Sequence, residues 1–306
     1  MPTLLLAMSL SLTSTAVPER PAGADPARLA ARVEALTGFS PRNGAHAANM
    51  ARAADWLRDE LTRTGGAVTE QGFETDGAAY RNLIARFGPE GPERIVVGAH
   101  YDALGSHPGA DDNASGVAGV LELARLLATR RPRLPVELVA FALEEPPYFG
   151  GPGQGSAVHA RALRRRGVRV RAMLCLEMIG YFSDAPRSQD VPVRPLRLLY
   201  PSTGNFIAVV GKPGQGRLVR RVREAMRAAT PLPVESIVAP AWLPGVDFSD
   251  HRSYWVEGYP AVMITDTAFY RNPHYHTARD TPDTLDYPRM AQVVDAVHAA
   301  VLALGR

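Results

Sequence analysis

Four short apolar runs in this chain lack any polar alternation, and each stops at ionisable residues or carries one near its end. Arg94 to Gly98 reads RIVVG and leads through Ala99 into His100-Tyr101-Asp102. Val136 to Leu143 reads VELVAFAL and is followed by Glu144-Glu145. Ala172 to Ile179 reads AMLCLEMI and carries Glu177 inside it, and Tyr259 to Thr265 reads YPAVMIT and ends at Asp266. Runs of this kind fit strands covered on both faces, as in parallel sheets. Helical periodicity lies between and around them. Leu29, Val33 and Leu36 repeat at helical spacing, as do Met50, Ala53, Trp56, Leu57 and Leu61. Further helices are predicted over 115–129, 156–166 and about 217–229, and Pro288 opens a last one lined by Met290, Val293, Val294, Val297 and Val301. Tyr80 to Phe87 and Phe206 to Gly211 complete the predicted strands. Strands alternating with helices predict a three-layer αβα fold with a mainly parallel sheet, as one domain over 27–306.

Composition bounds the function. The chain has 306 residues, 46% of them hydrophobic, enough for a large core. A net charge of +3, carried almost wholly by arginine, is a weak electrostatic footprint, so no nucleic-acid partner is expected. The single cysteine, Cys175, excludes an internal disulfide and any cysteine-rich zinc module. No apolar run is long enough to span a bilayer. Residues 1–26 read as a leader and linker. Leu4 to Leu12 with Ser14 and Ala16 fit a secretory signal, for a secreted or periplasmic protein, but Met1 to Thr3 carry no Lys or Arg. A disordered leader on a cytoplasmic protein fits equally well.

In open α/β sheets ligands bind beyond the carboxyl ends of the strands. The ionisable residues that end the apolar runs would therefore meet at one edge. They are joined there by Asp111-Asp112-Asn113, before the helix at 115, and by His274 and His276 after the last strand. Carboxylates gathered this way repel unless a cation separates them. Imidazole plus carboxylate, without thiolate, favours zinc or a similar divalent ion at a catalytic site.

On these segments the chain resembles the M28 family of zinc aminopeptidases. The matching stretches are VVGAHYDA (96–103), PGADDNASGVAGVLELAR (108–125), AFALEE (140–145), LEMIGY (176–181) and the run from Ser249 to Tyr287. The resemblance implies two zinc ions in an α/β aminopeptidase fold acting on a peptide or small aminoacyl substrate. By motif position it implies that His100 and Glu177 bind one zinc, Glu145 and His276 the other, and that Asp112 bridges them. Glu144 would be the general base towards a zinc-activated water, Asp102 would hold the His100 ring, and Tyr275 would help stabilise the oxyanion. Two departures stand out. Many relatives have Asp where this chain has Glu177, and the stretch after Glu145, Pro146 to Gly155, replaces a shorter turn and is expected to border the pocket.

Asp111 is expected to cap the helix that follows. His274 is expected to be a neighbour without metal. Asp250 and His251 fit either a pocket rim or a structural role, and Arg164-Arg165-Arg166 a solvated face. Two other functions remain open at this level: a glutaminyl cyclase-like acyltransferase with one zinc, and an inactive relative that only binds peptides.

Overall fold

The computed structural model describes residues 23–306. The leader expected in 1–22 lies outside the described residues. At the end of the expected linker, Ala24 and Asp25 donate backbone N–H groups to Asp295 and Glu122, and Asp25 caps the first helix. Eight strands form a single sheet: β1 (Ala67–Thr75), β2 (Ala78–Phe87), β3 (Glu93–His100), β4 (Val136–Phe141), β5 (Arg169–Glu177), β6 (Ile207–Gly211), β7 (Val234–Val238) and β8 (Ala261–Thr265). Their order is β1-β2-β4-β3-β5-β8-β6-β7. The centre, β4-β3-β5-β8, is parallel. The flanks are not: β2 runs antiparallel to β1 and β4, and β6 runs antiparallel to β8. The sheet is therefore mixed around the parallel centre that the sequence predicts.

Among the described residues, seven α-helices cover it: α1 (Pro26–Thr37), α2 (Ala47–Arg63), α3 (Gly116–Thr129), α4 (Gly155–Arg165), α5 (Gly216–Arg227), α6 (His251–Val256) and α7 (Tyr287–Leu304). The central strands divide their side chains between two cores. Ile95, Val97, Leu174, Leu176, Val262 and Ile264 face the layer of α1, α2, α3, α5 and α7. Val96, Met173, Cys175 and Met263 face α4 and α6. This two-sided burial is why the runs carry no polar alternation. Sequence periodicity missed β1, β7 and α6. β1 is an edge strand whose residues are all exposed or half-buried, β7 is five residues at the other edge, and α6 is six residues long.

One glycine is demanded by this packing. A Cβ on Gly98 would lie 2.3 Å from Cε2 of Phe141 and 3.0 Å from the Val139 carbonyl, in the middle of the sheet. Gly98→Val should therefore cost about 1–3 kcal/mol through overpacking. Urea unfolding followed by far-UV circular dichroism measures it. An unchanged midpoint would show that Phe141 swings aside freely.

Candidate active site

The parallel strands end side by side, and their ends carry the ionisable groups. Gly98 pairs with Cys175, so two residues further along both strands His100 stands beside Glu177. Glu144 and Glu145 follow β4, the neighbour on the other side of β3. The turn before α3 is irregular at Asp112 and Asn113, whose φ and ψ leave the helical region, and this turn brings Asp112 between the two groups.

Two sets of donor atoms result. His100 Nε2 lies 3.3 Å from Asp112 Oδ1 and 3.4 Å from Glu177 Oε2. His276 Nε2 lies 3.0 Å from Asp112 Oδ2 and 3.5 Å from Glu145 Oε2. Asp112 thus turns one oxygen to each histidine. Within each set the donor atoms fall within 4.8 Å of one another. Glu144 Oε2 reaches to 3.8 Å from His100 Nε2. His276 adopts a left-handed backbone, φ 55°, in a loop closed by the Thr277 N–H and hydroxyl, both donating to the His274 carbonyl. The structure therefore brings together all six: His100, Asp112, Glu144, Glu145, Glu177 and His276.

The electrostatics call for a cation. Burial drives the carboxyls of Glu144 and Glu145 well above their ordinary pKa, and their acidic neighbours add to this. Burial alone would lower His100, but Glu177, Glu144, Asp102 and Asp112 outweigh it and push its pKa well above the usual value. Asp112 stays ionised because His100 and His276 overcome its own burial. Protons are one way of relieving the repulsion; a metal is the other. The residues fit a metal. Glu145 Oε1 is buried without a hydrogen-bond partner, and two imidazoles with carboxylate oxygens form the donor chemistry that zinc prefers.

Several neighbours fix the donors. Asp102 accepts the Glu144 and Glu145 backbone N–H groups, both at 3.0 Å. Its contact with His100 Nδ1 is longer, 3.5 Å, so it holds the Glu144-Glu145 backbone more firmly than the ring it was expected to hold. Asn113 donates to the Leu176 carbonyl and to Glu177 Oε2, and Ser249 donates to the same Oε2 at 2.5 Å. Asp280 accepts the backbone N–H groups of Asp111 and Asp112. The sequence reading gave no role to Asn113, Asp280 or Ser249, although all three lie in the resembling segments. Asp111 is not a solvated helix cap: it is fully buried and accepts from Asn272 Nδ2 and the Gly180 N–H. Asp250 and His251 are buried as well and do not form a rim; Gln154 donates to Asp250, and His251 Nε2 bonds the Val246 carbonyl. His274 enters neither donor set and packs edge-on against Tyr181.

A cavity of about 110 Å³ opens beside the donors. Glu177 and Tyr275 line it, with Phe206, Leu243, Phe248 and Met263 among its apolar walls. Tyr275 stacks on the His276 ring at 3.8 Å, and burial with Asp112 and Glu145 nearby keeps its phenol protonated. The Pro146 to Gly155 loop contributes no lining residue. It reaches the cavity indirectly, through Phe149, whose ring packs on Phe248.

A buried, acid-rich donor cluster at the carboxyl edge of an α/β sheet fits a metal-dependent enzyme. Comparison with known proteins narrows the class: a sequence model of peptidase family M28 matches residues 82–301, and the chain belongs to that family. It is a metal-dependent peptidase. The chain is 46% identical to the uncharacterized protein YfbL of Escherichia coli over 92% of this chain and 89% of that one. It is 25% identical to a probable leucine aminopeptidase 1 of Trichophyton verrucosum, over 83% of this chain and 68% of that one. Among solved structures, the LapA aminopeptidase of Legionella pneumophila superposes with a TM-score of 0.72 at 21% identity, over 92% and 72% of the two chains. A glutaminyl cyclase of Bacteroides thetaiotaomicron does so with 0.68 at 20% identity, over 92% and 98%. No helix among the described residues is long and apolar enough to cross a membrane.

Removing metal should destabilise the protein in a pH-dependent way. Acids whose folded pKa is raised stabilise the metal-free fold at low pH and lose that contribution as pH rises through the raised value. Asp250 and Asp280, pushed by burial to about 7, place this loss between about pH 4 and 7, and Glu144 and Glu145 shift in the same direction. His159 and His251, lowered by burial to about 4, act equally with and without metal and cancel in the difference. The fall in Tm caused by EDTA should therefore be larger at pH 8 than at pH 5.5. Differential scanning fluorimetry measures it; equal falls at both pH values would remove the electrostatic argument for a cation.

Proposed function

We propose that the protein is a dizinc aminopeptidase that releases the first residue of peptides or small aminoacyl substrates. One observation carries this reading: the two oxygens of Asp112 are divided between His100 and His276, at 3.3 and 3.0 Å. Asp112 so placed would be the donor common to two ions, with His100 and Glu177 holding one and Glu145 and His276 the other. A zinc pair supplies Lewis acidity, which acidifies water and polarises a carbonyl oxygen.

The chain's own residues do the rest. Glu144 takes the proton from the attacking water as its electron pair forms the new C–O bond, and then gives that proton to the leaving amine. Its position suits this role, since its backbone is anchored by Asp102 and its carboxyl faces His100. Tyr275 remains a phenol and donates to the oxygen that gains charge. The substrate's free α-amine lies against the carboxylates of the site, Glu144 and Glu177 among them. The first side chain enters the apolar cavity that begins at Glu177 and Tyr275. The leucine aminopeptidase relative and the LapA fold neighbour support the same reading.

The glutaminyl cyclase fold neighbour keeps a second reading in view, a single-zinc acyltransferase. The two complete donor sets favour two metals over one. Elemental analysis separates the readings by zinc per chain, and a glutaminyl peptide separates them by product: a free amino acid or ammonia. For the mechanism, Glu144→Gln should keep the full zinc content and lower kcat on aminoacyl-nitroanilides by about 10²–10⁴-fold. Native turnover by that variant would remove Glu144 as the base.

A further inference from the structure

Arg42 is the largest fully buried side chain among the described residues, and it lies ahead of residue 82, where the family match begins. No carboxylate accepts a hydrogen bond from it. Its Nε donates to the Tyr101 carbonyl at 2.9 Å. Nη1 donates to Ser40 Oγ at 2.9 Å and to the Pro108 carbonyl, and Nη2 donates to the Gly109 carbonyl at 2.6 Å. Its own carbonyl accepts the Ala103 N–H at 2.8 Å. One residue thus ties together the two ends of the connection between β3 and α3. The first leaves β3 and carries His100 and Asp102; the second, Pro108 to Asn113, carries Asp112.

The fit is close. Gly109 has a left-handed backbone, φ 58°, and a Cβ there would meet the Asp112 carbonyl at 2.3 Å, Ala103 Cβ at 2.7 Å and Arg42 Nη2 at 2.9 Å. Burying a guanidinium is costly, and a planar fork that reaches carbonyls in several directions is something lysine does not provide. Burial lowers the Arg42 pKa to about 10, opposed by the charges of Asp102, Asp280, Asp112 and Glu145, so the group stays cationic at neutral pH.

We propose that Arg42 is a positioning residue for the metal centre: its fork fixes the distance between the His100–Asp102 loop and the Asp112 turn, and so sets the geometry of both donor sets. The inference rests on the dizinc reading. It differs from two simpler roles, and the signs separate them. A residue acting only through its charge repels nearby cations, so its neutralisation would strengthen metal binding. A residue that only stabilises the fold would lower Tm and leave metal affinity alone. A clamp that sets donor spacing weakens metal binding whether it is replaced by a cation or by a neutral side chain.

The test is competition for Zn²⁺ with a chelating dye, on wild-type protein and on Arg42→Lys, Arg42→Met and Ser40→Ala, each checked for native far-UV circular dichroism at the assay temperature. Arg42→Lys and Arg42→Met should each weaken zinc binding by about 10–100-fold, the range seen when residues that orient metal ligands are lost. Ser40→Ala, which removes one acceptor of the fork, should weaken it less. The visible spectrum of the Co²⁺-substituted protein should change in both Arg42 variants, and kcat should fall more than KM rises. The proposal is overturned if Arg42→Lys binds zinc as wild type does, with Arg42→Met equal or tighter. If Arg42→Met does not fold, Arg42→Lys and Ser40→Ala decide. Wild-type protein that binds no zinc would defeat the dizinc reading itself, and this inference with it.

Discussion

The repulsion among buried carboxylates at the carboxyl edge of the sheet is the constraint around which this molecule is organised. Asp112, Glu144, Glu145 and Glu177 are all nearly buried, and Asp102, Asp111, Asp250, Asp266 and Asp280 lie buried around or behind them. No hydrophobic core accommodates so many acids unaided, since each loses its hydration without a matching gain. Two features offset the cost. A cation held at the donor sets would remove the repulsion in front, and backbone N–H groups satisfy Asp102, Asp111, Asp266 and Asp280 behind. Asp102 takes those of Glu144 and Glu145, Asp280 those of Asp111 and Asp112, and Asp266 those of Tyr181 and Ala268. The second row of acids is thus part of the backbone architecture, and the first row is left free to hold a cation.

That division explains why strand ends and irregular turns, rather than helices, carry the site. A strand end delivers its last side chain at a fixed register beside its neighbour, as β3 and β5 deliver His100 and Glu177. The Asp112 turn obeys no register, so it is held by Asp280, by its own Asn113 reaching the Leu176 carbonyl and by the Arg42 fork at Pro108 and Gly109. Asp112 is the donor shared by both sets.

The legibility of the sequence follows from the same physics. β3, β4, β5 and β8 were readable because two-sided burial removes polar alternation from them, and the ionisable residues at their ends were readable because nothing else explains acids next to such runs. The donor residues needed the family resemblance as well, since proximity across the sheet depends on register that the sequence does not display. β1 and β7 were hidden because edge strands are half-solvated and need little apolar character. Asp111 was misread for a related reason: Asp before a helix is common as a cap, and only the fold shows that its carboxyl turns inward to Asn272 and Gly180. Arg42 offered no signal at all, because one arginine among many carries no mark of burial in its sequence context.

The flanking strands add a second consequence. β6 reverses direction against β8, and β7 follows it, so this side of the sheet does not present strand ends to the donors. It presents faces. Ala208 and Val210 of β6 and Ile237 of β7 line the apolar cavity, together with Met263 of β8. The parallel centre supplies the polar groups at its edge, and the mixed flank supplies the apolar wall beside them, with Glu177 belonging to both. Loss of parallel order on this side is therefore what gives the site an apolar neighbour, and substitutions in β6 and β7 can alter the shape of that cavity without moving any donor atom.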